Sequence, residues 1–258
     1  MDISVVIITK NEAHIIGKTL QSLESVTRDI VIVDSGSTDE TVAICKQFNA
    51  TVIETGWSGY GNNKNKGIQA SKNDWILSLD ADEAIDEKLA QSLKQLRPAH
   101  DEEVFDIRFK NFFCNKWIRF GEWGFDRHIR LFNRKKVQWN NSGVHEELIF
   151  PPGITKTKLK GNILHYTADN KMDYALKMNN YAMMNAEKYF KAGKQSNFLK
   201  EYFSPVFSFL QHYIFRLGFL DGPEGFLIAR TTARYTFLKY HYLNEMNKNK
   251  NTVITKVQ

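Results

Sequence analysis

Cysteine is nearly absent from this 258-residue chain: Cys45 and Cys114 stand far apart and form neither a C-x-x-C motif nor a metal-type spacing. A disulfide framework is thereby excluded, and two unpaired thiols fit a reducing compartment. Long apolar runs are missing as well. No window reaches the roughly 18 uncharged apolar residues of a membrane-crossing helix. The first apolar run, in MDISVVIITKNE, is short and has Asp2 before it, the wrong flank for a secretory signal. A cytoplasmic chain that does not cross a membrane is expected. There are no internal repeats, which sets aside solenoids and propellers.

What is present suits one large domain, or one domain with an appendage: 42% of the residues are hydrophobic and 13% aromatic. The net charge of +6 is unevenly placed. Residues 188–258 carry eleven Lys and Arg against four Asp and Glu, so +7 lies in the last quarter and the remainder is close to neutral. A basic, aromatic-rich end points to an anionic surface partner, membrane or nucleic acid.

Strand and helix signals alternate over the first hundred residues. ISVVIIT, DIVIVDSG, ATVIET and DWILSLDAD read as strands, the first a continuous apolar run of the kind buried on both faces. Between them NEAHIIGKTLQSLES, STDETVAICKQF and the Gly/Asn-rich GWSGYGNNKNKGIQAS lead into helices, and EKLAQSLKQL follows the fourth strand. This order predicts an α/β fold, with a mainly parallel sheet flanked by helices. Ligands of such sheets bind beyond the strands' carboxyl ends. There the chain places Thr9, Asn11 and Glu12, then Asp34, Ser35 and Gly36, then Asp80 and Asp82. From 104 to 166 shorter, partly antiparallel strands are expected, and from 170 onward helices. Gly193 is read as a C-terminal cap, Pro205 as a break or kink, and Asp221-Gly-Pro-Glu as a helix start.

The run SLDADEAID followed by Glu87 brings Asp80, Asp82, Glu83, Asp86 and Glu87 together where a buried strand ends. Two chemistries fit. Acids cap helix N-termini and complement the dipole; paired carboxylates also hold a divalent metal that bears phosphates. Asp86 and Glu87 are read as caps, as is Asp39. Lys64, Asn65 and Gly67 open a helix where a base or phosphate could rest on backbone amides, although Gly/Asn clusters are most often plain loops.

Taken together, VVIITKNEAHIIGKTLQSL, IVIVDSGSTDETVAI, GNNKNKGIQAS and WILSLDADE resemble the family 2 inverting glycosyltransferases of the GT-A fold, over residues 3–88. FDRHIRLFNR, GVHEEL and ILHY extend the likeness toward the bacterial lipopolysaccharide core glucosyltransferase branch. The resemblance implies a GT-A catalytic domain over 1–168, with a nucleotide-sugar half (1–100) and an acceptor half (101–168). A helical, basic extension over 169–246 and a disordered tail over 247–258 complete the expected organisation. By the same resemblance Thr9, Asn11, Glu12, Asp34, Ser35, Gly36, Lys64, Asn65, Asp80 and Arg130 line the nucleotide-sugar site. Asp82, with Asp80 and His165, holds Mg²⁺ or Mn²⁺, and Glu83 assists through water. Where the family has Arg-Asn-x-Gly, this chain has Lys64-Asn65-Lys66-Gly67, which keeps the charge and loses the bidentate fork.

An inverting transfer needs a base for the acceptor hydroxyl. Glu146 is the first candidate, oriented by His145, with Asp126 second and Glu122 behind it; the Glu-Asp pair common at this point in the family is missing. Arg127, Arg130 and Arg134 are candidate ligands for a diphosphate or an anionic acceptor. The implied activity is metal-dependent transfer of glucose from a UDP-sugar to a lipid-linked glycan such as lipopolysaccharide core. The implied place is the inner face of the cytoplasmic membrane, with residues 188–246 on an anionic bilayer and no nucleic-acid partner. Two other classes compete. A nucleotidyltransferase would want a glycine-rich loop after strand one, where TKNEAH has no glycine. A non-catalytic membrane- or nucleic-acid-binding protein would leave the acids at three strand ends without a purpose.

Overall fold

The computed structural model describes residues 1–140, 146–168 and 170–255, with side chains through 249. The chain divides into two compact units, Met1–Phe109 with Arg127–His165, and Lys110–Asp126 with the chain from Tyr166 onward. Each unit is therefore assembled from separate stretches of sequence, unlike the single boundary near 168 expected from the sequence.

The first unit is built on a twisted sheet. Its strands are β1 (Ile3–Thr9), β2 (Asp29–Asp34), β3 (Thr51–Glu54), β4 (Trp75–Asp80), β5 (Glu83–Ile85), β6 (Glu103–Phe113), β8 (Arg127–Asn133) and β11 (Thr155–Ala168). Two-residue strands β9 (Gln138–Trp139) and β10 (Leu148–Ile149) pair with each other as a separate small sheet, and β7 (Lys116–Trp117), in the second unit, pairs with the end of β6. The order β3-β2-β1-β4-β8-β6-β11-β5 has parallel pairs among β1 to β4, while β4-β8, β8-β6 and β11-β5 are antiparallel. All seven β1 residues are buried, as the unbroken apolar run predicts.

Alternation along the strands sorts side chains to two faces. Val5, Ile7, Ile32, Leu77 and Leu79 pack with Ile16, Leu20 and Leu23 of α1 (Ile16–Leu23) and Leu89 and Leu93 of α4 (Glu87–Gln95). Val6, Val31 and Ile76 face Ile68 of α3 (Tyr60–Ala70) on the other side. The remaining helix of this unit, α2 (Thr41–Gln47), contributes Cys45 to the first cluster. Gly67 lets α3 approach the sheet, because a Cβ there would lie 2.4 Å from Val6 Cγ1. Asp86 caps α4 as expected, accepting from Leu89 N at 2.9 Å, and also accepts from the backbone and side-chain amides of Asn162.

The second unit is mainly helical: α5 (Lys171–Lys191), α6 (Phe198–Phe209) and α7 (Gly222–Thr255), with α5 and α6 both packed on α7. Phe113, Ile118, Tyr174 and Ile228 form its buried cluster. Gly193 has φ 70 and its amide donates to Phe190 O, the capping role read from sequence. The chain does not break at Pro205. That residue lies inside α6, the helix continues into a π segment at Leu210–Phe215, and the reversal falls at Leu217, which has φ 59. Helix α7 starts at Gly222-Pro223 as expected and runs through Thr255, past residue 247 where the tail was expected to begin.

Candidate active site

Strand register brings the predicted polar residues to one rim of the sheet. Thr9 pairs with Asp34 and Ile8 with Asp80, so the ends of β1, β2 and β4 lie side by side. Thr9 Oγ1 is buried and has no hydrogen-bond partner among the described residues. A buried hydroxyl without a partner is costly, and a bound ligand would relieve it.

The loops after β1 and β2 are stitched to each other. Asn11, in the left-handed region at φ 56, accepts from Thr38 N at 2.8 Å and donates its own amide to Ser37 Oγ. Glu12 N donates to Thr41 Oγ1, and Ala13 N to Asp39. Asp34 is 1% exposed and turned into its own loop, where it accepts from the amides of Gly36 and Ser37 and from Ser37 Oγ. Its carboxylate thus shapes the loop at the rim where a ribose or base contact was expected. Ser35 Oγ accepts from Asn63 Nδ2 at 2.9 Å. Gly36, at φ 83, has open space where a Cβ would stand.

Helix α3 corrects an expectation. It begins at Tyr60, so Lys64 and Asn65 lie in its second turn and their amides do not form an open N-terminus. Asn65 clamps β9 by donating to Trp139 O and accepting from Trp139 N. Lys64, 1% exposed, places its Nζ 3.1 Å from Asp80 Oδ1 and 2.9 Å from Glu146 Oε1, and 4.6 Å from the centroid of the Trp139 ring. One buried ammonium thus ties the first acid of the D-x-D run to the candidate base. By resemblance the sequence places Lys64 in the nucleotide-sugar site; it does not announce the pairing with two carboxylates. A Cβ on Gly61 would lie 1.9 Å from Asn140 O and 3.5 Å from Glu146 Cβ, so both residues pack directly against α3.

Arg130 holds the other side of Asp80, at 3.3 Å, and also pairs with Glu83. Burial raises the proton affinity of Asp80, yet Lys64 and Arg130 outweigh it and hold the carboxyl far below its ordinary range. Glu83 goes the other way: burial, with Asp80 and Asp82 nearby, pushes it up to about 7 despite Arg130. Glu83 accepts from Asp80 N at 3.1 Å and so braces the turn between the two strands. Arg127 is committed to Asp106, and Arg134 to Asp74 and the carbonyls of Ile68 and Ser71. Neither is held ready for an anion in the way expected.

The β5–β11 pairing sets His165 opposite Glu83, and His165 Nε2 lies 3.3 Å from Asp82 Oδ2. Burial lowers the proton affinity of His165, and the Asp82 partner reverses this and raises it. No cluster of three or more metal-donor side chains occurs among the described residues. Of the expected trio, Asp80 has both oxygens toward cations, while Asp82 and His165 face each other. Asp82 and His165, each partly exposed, supply one oxygen and one nitrogen. That donor set fits a divalent cation whose other positions are filled by phosphate oxygens and water.

Among the other base candidates, Asp126 and Glu122 lie in the second unit. Asp126 accepts from Asn111 Nδ2, and Glu122 from Thr232 Oγ1 at 2.6 Å. His145 lies outside the described residues.

The profile of glycosyl transferase family 2 matches residues 4–169. The chain is 32% identical over 249 residues to the lipopolysaccharide core biosynthesis glycosyltransferase LpsC of Rhizobium meliloti, covering 92% of this chain and 90% of that one. It is 29% identical over 262 residues to an uncharacterized glycosyltransferase of Rickettsia felis, covering 97% and 93%. Among solved structures, residues 1–349 of S. aureus TarS in complex with UDP-GlcNAc align at a TM-score of 0.46 and 16% identity, over 97% of this chain and 92% of that one. The acids on the strand ends thus lie within the matched segment, and the chain belongs to glycosyl transferase family 2, a glycosyltransferase built on the GT-A fold.

Proposed function

We propose that the chain is an inverting, metal-dependent enzyme that moves glucose from UDP-glucose to a lipid-linked glycan of the lipopolysaccharide core type, working at the inner face of the cytoplasmic membrane. The observation that carries the reading is the arrangement around Lys64: Asp80 and Glu146 on one ammonium, with the Asp82–His165 pair at the same strand end. The nucleotide and the sugar follow from the family resemblance, and the acceptor class from the LpsC relative. The nucleotidyltransferase and non-catalytic readings give way to the family match.

In such a transfer the acceptor oxygen bonds to the anomeric carbon as the bond from that carbon to the diphosphate breaks, and the hydroxyl proton passes to a carboxylate. Glu146 takes that proton; Lys64 fixes its Oε1 and so its orientation. Asp80, kept ionised by Lys64 and Arg130, accepts hydrogen bonds from donor hydroxyls. Thr9 offers its buried hydroxyl at the same rim. Asp82 and His165 would hold Mg²⁺ or Mn²⁺, which when bound offsets charge on the departing diphosphate.

Glu146→Gln keeps the shape and removes the base. It should lower transfer by about a hundredfold or more while UDP-glucose still binds, measured by calorimetry beside a turnover assay. Full turnover in Glu146→Gln, with loss in Asp126→Asn, would move the base to Asp126.

A further inference from the structure

Helix α6 is folded inside out. Its Glu201 is 4% exposed and bound by two α7 side chains, His241 Nδ1 at 2.8 Å and Asn244 Nδ2 at 2.8 Å. Leu199, Phe203, Val206, Phe207 and Leu210, in contrast, are 41% to 62% exposed. Positions 199, 203, 206, 210 and 214 follow the three-and-four spacing of one helical face. A water-facing helix would present that face to the core and its carboxylate to solvent. The apolar surface continues past the helix through Ile214, Phe215, Phe219 and Leu220. A contiguous exposed apolar surface of this kind marks an interaction site.

Charge identifies the partner. Between residues 188 and 244 the chain has three acids, and none is offered to solvent unpaired: Glu201 and Asp221 are buried, and Glu224 pairs with Lys116 at 2.8 Å. Lys191, Lys194, Lys200, Arg216 and Arg230 are exposed. Lys200 and Arg216 stand among the apolar residues themselves, so long basic side chains border the greasy face, the pattern of an interfacial helix on anionic lipid. The twelve residues of α6 span about 18 Å, well short of the ~30 Å hydrocarbon core. One side of α6 is also committed to α7.

We propose that α6 and the turn after it are the membrane-docking element. The outer face lies in the plane of an anionic bilayer, with Phe203, Phe207 and Phe215 at the acyl boundary and Lys200 and Arg216 at the lipid phosphates. This specifies the membrane partner of the functional reading above and rests on its placement at a bilayer.

The test is flotation of the full chain with phosphatidylcholine vesicles with or without phosphatidylglycerol, no nucleotide sugar or glycan being added. The chain should float with the phosphatidylglycerol vesicles, less so as salt rises, and poorly with phosphatidylcholine alone. The exposed-face variant Leu199→Ser/Phe203→Ser/Phe207→Ser should bind at least about tenfold more weakly, with its circular dichroism and thermal transition retained. No flotation of the wild type, or equal flotation of the variant, overturns the proposal. So does a wild-type chain that stays off vesicles and sediments as a dimer while the variant is monomeric, because the face then joins two copies. Transfer to a soluble acceptor is measured separately, so failure of docking and failure of the catalytic reading are distinguishable.

Discussion

Lys64 decides the character of the site. Its ammonium is almost wholly buried and has two carboxylates on it, an arrangement that is stable only while all three charges are present. Lys64→Met leaves Asp80 and Glu146 facing each other. Because Asp80 is one-third exposed, the loss should be near the low end for a buried pair, about 3 kcal/mol, and transfer should fall with it; an unchanged denaturant midpoint would contradict the assignment. Cys45 gives a cleaner titration. Burial pushes its thiol from 9.0 up to about 11. Its contribution is fully present below pH 9, and between the two values the unfolded chain loses the proton first, so stability falls as pH rises. Cys45→Ala should flatten that part of the pH profile, and identical slopes for wild type and variant would refute it. At this scale the sequence was readable where a residue type has few uses. The D-x-D spacing pointed to Asp80 and Asp82, and the register of β11 puts His165 beside them. It was ambiguous where one pattern serves two purposes. Asp34-Ser-Gly-Ser has the composition of a ligand loop and also of a self-bonded turn; its hydrogen bonds form the turn, which composition alone did not announce.

Among the elements, α3 carries the most consequence, because it holds Lys64 from below. Its seat depends on Gly67. A Cβ there would meet Val6 Cγ1 at 2.4 Å and Val33 Cγ2 at 3.0 Å. Gly67→Ala gains about 1 kcal/mol in helix propensity but loses more to overpacking, typically about 1–3 kcal/mol. A lower melting temperature and weaker donor binding are expected, and a more stable protein would show that α3 is free to shift. Strands β1, β2 and β4 were legible because buried strands are unbroken apolar runs. The three-residue β5 was not, although it is the element that carries the acids to His165, since so few residues hold no period. In α6 the proline was a poor guide. It forfeits one backbone bond, whereas the reversal needs the left-handed residue Leu217 twelve positions later.

On the scale of the whole molecule, the sequence pattern reached the α/β class and the family, and the structure divides the chain differently. Residues 110–126 join the helical unit although they lie between two strands of the sheet unit, an exchange that no composition shift announces. No helix among the described residues is long and apolar enough to cross a membrane, as the hydropathy predicted. The central claim is that this molecule is a metal-assisted nucleotide-sugar transferase whose metal sits on Asp82 and His165. Its most direct test is consumption of a panel of nucleotide sugars by the full chain, with Mg²⁺, with Mn²⁺ and with EDTA, alongside Asp82→Ala. The account predicts turnover of UDP-glucose with metal, loss in EDTA that returns when metal is restored, and a folded but inactive Asp82→Ala. Undiminished turnover in EDTA and in Asp82→Ala, or no binding or cleavage of any nucleotide sugar, would contradict it.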